Sequence, residues 1–183
     1  RTGCNWPTVL LLTVFAGRSA GDLAGDSLAC GDVNGDGYED VLLGAMAGSP
    51  RGRTQAGKVH IVYGSAWLPG TKVNLINPVG YELETRILGA AAGDHSGMSL
   101  ACGDVDGDGF DDVLIGVPQS SPAPGKAAIV FGSMNLIYRA VDLADSHLHR
   151  TGWICGLDTD MQLGVSVGLT DLNGDGKEDL LLG

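Results

Sequence analysis

The chain has 183 residues, with 22 acidic against 11 basic side chains and a formal net charge of −11. That charge excludes nucleic acid as a partner, because phosphate contact needs a basic face, and an apolar share of 44% excludes a disordered chain. No run of about 18 apolar residues exists to form a transmembrane helix or to insert in a membrane.

In chain order, the first apolar run is at 9–16. It has the look of a signal-peptide core, but it aligns with a later strand, and the reading here is a strand at 13–17. Strands follow at 27–30 and 41–43, separated by Asp32-Val33-Asn34-Gly35-Asp36-Gly37-Tyr38-Glu39-Asp40. A loop at 45–57 carries Arg51-Gly52-Arg53, a basic spot on an acidic chain. It reads as a solvated loop or, more sharply, as part of a ligand rim. Strands at 58–63 and 85–88 complete the set, each bounded by Gly, Pro or Asp. The order then repeats: strands at 98–102, 113–115, 126–131 and 152–155, with Asp104-Val105-Asp106-Gly107-Asp108-Gly109-Phe110-Asp111-Asp112 between the first two. A third copy begins at Gly164, and its acidic loop runs from Asp171 to Asp179. Segments 74–84 and 136–144 read weakest and leave room for a short helix.

The acidic loops start at Asp32, Asp104 and Asp171, 72 and then 67 residues apart, and a near-fixed period marks a repeat architecture. Ser27-Leu28-Ala29-Cys30-Gly31-Asp32 lies over Ser99-Leu100-Ala101-Cys102-Gly103-Asp104 without a gap. Four antiparallel strands per repeat make the fold class all-β, a β-propeller with blades of strands A to D. Hairpin alternation puts the A–B loops, which hold the acids, and the C–D loops on one face. The B–C loops (45–57, 117–125) and D–A loops (89–97, 156–164) fall on the other.

Within an acidic loop, carboxylates at positions 1, 3, 5 and 9 converge, and like charges that close need a cation. Hard oxygen ligands in that number suit calcium. The expected ligands are Asp32, Asn34, Asp36, the Tyr38 carbonyl and Asp40. The second set is Asp104, Asp106, Asp108, the Phe110 carbonyl and Asp112, and the third is Asp171, Asn173, Asp175, the Lys177 carbonyl and Asp179. The middle loop has the most ligand carboxylates, so it is expected to bind tightest. An EF-hand requires an acid at position 12 and a helix after the loop, and position 12 here is Leu43, Ile115 and Leu182. The metal is read as structural, with up to three sites.

These residues carry a resemblance. The Gly25, Gly97 and Gly164 starts, the Asp-x-(Asp/Asn)-Gly-Asp-Gly-x-x-Asp loops, the endings Gly44-Ala45-Met46 and Gly116-Val117-Pro118, and the Gly-Lys entries at Gly57 and Gly125 resemble the FG-GAP repeats of integrin α-subunit propellers. The aromatic residue before each starting Gly is replaced by Ala24, Ser96 and Leu163. The resemblance implies a ring of about seven blades, of which this chain supplies part: a D strand and linker in 1–24, blades in 25–96 and 97–163, and an A–B hairpin in 164–183. It also implies an extracellular or cell-surface setting. The implied function is adhesion or protein binding, with a protein or glycan ligand met on the face opposite calcium. A non-catalytic accessory propeller of a secreted hydrolase or lyase, similar to a glycosylphosphatidylinositol phospholipase D, is the alternative. A carbohydrate-binding propeller is the third reading, with Trp67 as its exposed aromatic.

Other motifs read as structural, and no catalytic residue is assigned. Gly164-Val165-Ser166-Val167-Gly168 matches a nucleophile elbow, but the elbow needs a following helix, and Ser166 stands in register with Ser27 and Ser99, in strand A. His147 and His149, with Asp145, read as a solvated C–D connection. Cys30 and Cys102 occupy a slot that takes Leu169 in the third copy, so the slot reads as apolar core.

Overall fold

The computed structural model describes residues 14–16, 19, 21–67, 72–75, 84–118, 124–137, 139–145, 147, 149–158 and 161–183. Cys4, the apolar residues at 9–13 and the weak segment at 76–83 lie outside the described residues. The described strands are β1 (Val14–Ala16), β2 (Leu28–Gly31), β3 (Asp40–Ala45), β4 (Lys58–Val62), β5 (Lys72–Asn74), β6 (Glu84–Leu88) and β7 (Leu100–Gly103). They continue with β8 (Asp112–Val117), β9 (Lys126–Val130), β10 (Ala140–Asp142), β11 (Thr151–Cys155), β12 (Val167–Thr170) and β13 (Asp179–Leu182). No α-helix occurs among the described residues, so none is long and apolar enough to cross a membrane.

Each repeat forms one antiparallel sheet, β2-β3-β4-β6 and then β7-β8-β9-β11, with β12-β13 as a third hairpin. The three A–B hairpins share one register. Gly31 pairs with Asp40, Gly103 with Asp112 and Thr170 with Asp179, so every acidic loop is closed by the same rung of its ladder. The chain thus folds as propeller blades.

Period-two alternation decides what lies between the blades. Val59 and Ile61 of β4, with Leu42 and Ile87, face Val113, Ile115, Val117, Ala128 and Val130 of the next sheet in one buried cluster. Each fully buried Val or Ile there contributes about 1.5–3 kcal/mol. The opposite face of the first sheet presents Leu43 and Val62 to Val73, Leu75 and the half-buried Phe15. β8 is buried at all six positions because it has a strand on each side and a packed layer on its faces.

Two features differ from the sequence expectation. First, the weak segment at 136–144 holds a strand. One turn of 3-10 helix at Met134–Leu136 is followed by β10, which pairs in parallel with β6, and β5 likewise pairs in parallel with β1. The first blade therefore has five strands, the fifth donated by the C–D connection of the next repeat. It satisfies the outer edge of β6, where the Arg86 amide donates to the Arg139 carbonyl at 3.1 Å and the Leu143 amide to the Leu88 carbonyl at 3.0 Å. Second, the A strands begin later than expected. Ser27, Ser99 and Ser166 precede β2, β7 and β12, and the Gly44, Gly116 and Gly183 amides donate to their carbonyls.

Candidate metal centre

In all three loops the glycines at positions 4 and 6 have φ between +72° and +86° or +80° and +88° or +78° and +84°, left-handed conformations that let the backbone curl. The curl aims amides at the acids. The Asp104 carboxylate accepts hydrogen bonds from Gly107 (2.7 Å), Asp108 (3.2 Å) and Gly109 (2.9 Å), and Asp171 accepts the equivalent three. Asp32 accepts from Asp36 and Gly37. Position 3 accepts from the amide of position 5, and position 5 from that of position 7, in every copy. These donors, led by Gly176, hold the Asp171 carboxyl below the usual carboxylate range.

Ligand atoms of Asp104, Asp106 and Asp108 come within 4.8 Å of one another. Three hard oxygens on one point fit a hard divalent cation. Asp112, the fourth expected carboxylate, is not in that group. It is fully buried, and its two oxygens accept the Val105 amide at 3.0 Å and the Gly132 amide at 2.9 Å. Asp40 does the same with Val33 and Gly64. Position 9 thus ties the loop to the end of strand C. Burial pushes both carboxyls up to about 6, against the backbone amides that lower them. In the first loop the neutral Asn34 amide donates to Asp36 at 2.9 Å. In the middle loop Arg150 pairs with Asp106, its guanidinium 3.8 Å from the Phe131 ring centroid, and Lys177 donates to the Asp106 carbonyl at 2.7 Å. Tyr38 and Lys177 are exposed and Phe110 is half-buried.

Position 8 of the loop joins blades. The Asp111 carboxylate accepts the Asp32 amide at 2.7 Å, and the Asp111 amide donates to the Asp32 carbonyl at 3.1 Å. The Glu178 amide repeats the second bond, donating to the Asp104 carbonyl at 2.9 Å. Other joints recur with the period. Ser27 and Ser99 donate to the carbonyls of Gly97 and Gly164, and Lys58 and Lys126 pair with Asp22 and Asp94. The recurrence of acids, serines and lysines was visible in the aligned copies, but not what they touch.

The cysteine slot is corrected in part. Cys102 is half-buried against the core, its sulfur 2.5 Å from where a Cβ on Gly31 would stand, and burial pushes its thiol up. Cys30 is exposed, whereas the equivalent Cys102 lies against Gly31 of the preceding repeat's strand A. Cys30, Cys102 and Cys155 are all free thiols. His147 is exposed and His149 half-buried, while His60, unassigned from sequence, is fully buried with Nδ1 on Glu84.

Comparison with known proteins follows the same lines. Residues 24–62 and 96–130 match the family described as FG-GAP repeat. Integrin alpha-PS2 of Drosophila melanogaster is 30% identical over 161 residues, covering 87% of this chain and 10% of the relative. Integrin alpha-5 of Xenopus laevis is 30% identical over 175 residues, covering 92% and 15%. Phosphatidylinositol-glycan-specific phospholipase D of Mus musculus is 29% identical over 152 residues, covering 82% and 17%. The chain therefore spans less than a fifth of the length of these relatives. On the matched residues, the register of the loops and the sheet order, this chain is built of FG-GAP repeats folded as β-propeller blades.

Proposed function

We propose that the chain is a calcium-stabilised, extracellular propeller module that binds a protein partner, in the manner of an adhesion receptor, through its B–C and D–A loops. The observation that carries the metal reading is the convergence of Asp104, Asp106 and Asp108 at the mouth of a hairpin whose register recurs in all three copies. A cation there neutralises a turn that otherwise repels itself, so binding adds to folding free energy. At a free calcium concentration a hundredfold above Kd the gain is about 2.7 kcal/mol per site. Thermal melts with calcium, with magnesium and with a chelator test this. Calcium should raise Tm above the chelated value and magnesium should raise it less, and an unchanged Tm on chelation would remove the reading.

A second reading, a non-catalytic accessory propeller of a secreted hydrolase, is favoured by the phospholipase D relatives. The two part on a binding assay. The chain immobilised on beads should retain cell-surface protein in the first case, and should bind a partner domain of its own hydrolase in the second.

A further inference from the structure

At the end of the first blade away from the acidic loops, a cavity of about 390 Å³ opens between the B–C loop and the outer strands. Among the described residues it is lined by Arg51, Lys58 and Arg86, with Ser49, Leu88 and Ala140. Its volume falls in the range of small-molecule sites, about 300–1,000 Å³. On a chain of net charge −11 its walls are cationic. Arg51 (2.6 Å) and Arg53 (2.9 Å) share the single carboxylate of Asp142, and Arg53 Nε is buried with no acceptor among the described residues. Lys58 pairs with Asp22. Arg86 has no side-chain hydrogen bond or ion pair among the described residues, and the nearby Glu84 carboxylate is taken by His60. Three cations line the cavity, they and Arg53 share two carboxylates, and the Arg86 guanidinium has no partner among the described residues.

The second blade supplies an internal control. Arg86 pairs across β4 with His60, and Trp153 pairs across β9 with Ala128 at the same rung. Trp153 carries Lys126 over its ring, 4.5 Å from the centroid, where the first blade has Lys58 and Arg86. The repeat therefore closes this corner with one cation and an indole, and the extra guanidinium of the first blade answers no structural need that the repeat shares.

We propose that this cavity is an oxyanion-binding site, taking the carboxylate, sulfate or phosphate group of a small polar ligand. Arg86 is the principal contact, Arg51 offers its remaining N–H groups while holding Asp142, and Leu88 with Ala140 receives the apolar part of the ligand. A guanidinium fork suits an oxyanion by geometry as well as charge. The proposal goes beyond the calcium reading and does not depend on it.

The test is calorimetric titration of the 183-residue chain with acetate, sulfate and methyl phosphate, in saturating calcium and at constant ionic strength set by chloride. At least one oxyanion should saturate with one-to-one stoichiometry, and the one that binds tightest names the head group. Arg86→Gln should weaken it at least tenfold and Arg51→Gln severalfold, while Lys126→Gln in the second blade leaves it unchanged. Arg86→Lys keeps the charge without the fork and should bind between wild type and Arg86→Gln, which keeps the result readable if the glutamine variant folds poorly. Absence of saturation over chloride by all three anions, or equal binding by Arg86→Gln, overturns the proposal.

Discussion

Asp40 and Asp112 are fully buried, and without a cation burial pushes each carboxyl up to about 6. The ordinary value is about 3.9, so between these limits the native protein holds protons that the unfolded chain has released. Their contribution to stability is therefore present below about pH 4 and lost as pH rises through about 6. Denaturant melts of the chelated protein should show this component as a fall in stability from about pH 4 to 7, and calcium should flatten it because a cation favours the ionised carboxylates. Asp171 acts in another window. Its lowered carboxyl gives stability that disappears only as pH falls below the ordinary carboxylate value. Arg150 offers a second residue-scale test. It occupies Asp106 of the middle loop, so it competes with a metal there. Arg150→Gln should tighten calcium at that loop severalfold by calorimetry, while the loop at Asp32 keeps its affinity.

At the scale of elements, the sheet gains most from a strand borrowed across repeats. Edge strands expose a row of unpaired amides, and β10 covers that row on β6. The Arg86 amide should accordingly resist hydrogen exchange, and the Trp153 amide at the same rung of β11, which has no fifth strand among the described residues, should exchange faster. Equal exchange rates would show that β10 does not hold in solution. The close approach of strand ends is a second element-scale feature. A Cβ on Gly116 would stand 2.0 Å from the Gly164 carbonyl oxygen, which is backbone and has little room to yield. Gly116→Ala should cost about 1–3 kcal/mol or more in urea unfolding.

For the whole molecule, the blades are held by joints that recur with the period: position 8 of the acidic loop, the serine before strand A, and the lysine opening strand C. Asp111 is the most complete of these, making two bonds to Asp32 in the blade before. Asp111→Ala leaves the Asp32 amide without its charged acceptor and should destabilise the chain by about 1.5–3 kcal/mol. Because it touches the backbone of the first loop's leading ligand, it should also weaken calcium at that loop more than at the loop it belongs to, a contrast that calorimetry reads directly.

What is local in sequence was legible in sequence. The hairpin register, the left-handed glycines and the convergence of Asp104, Asp106 and Asp108 are dictated within nine residues, where turn geometry and charge leave few solutions. The same motif recurs in sequence at Asp32 and Asp171, with Asn34 and Asn173 in place of the middle carboxylate. What only the tertiary structure decided reaches beyond the nine-residue loop: the parallel strand at Ala140–Asp142, the second role of Asp112, the clamp at Asp111 and Arg86, unpaired among the described residues, beside Arg51. No spacing rule encodes these. They arise where the packing of one sheet on the next brings residues some 20 to 90 positions apart into contact, and there shape and burial choose the partner.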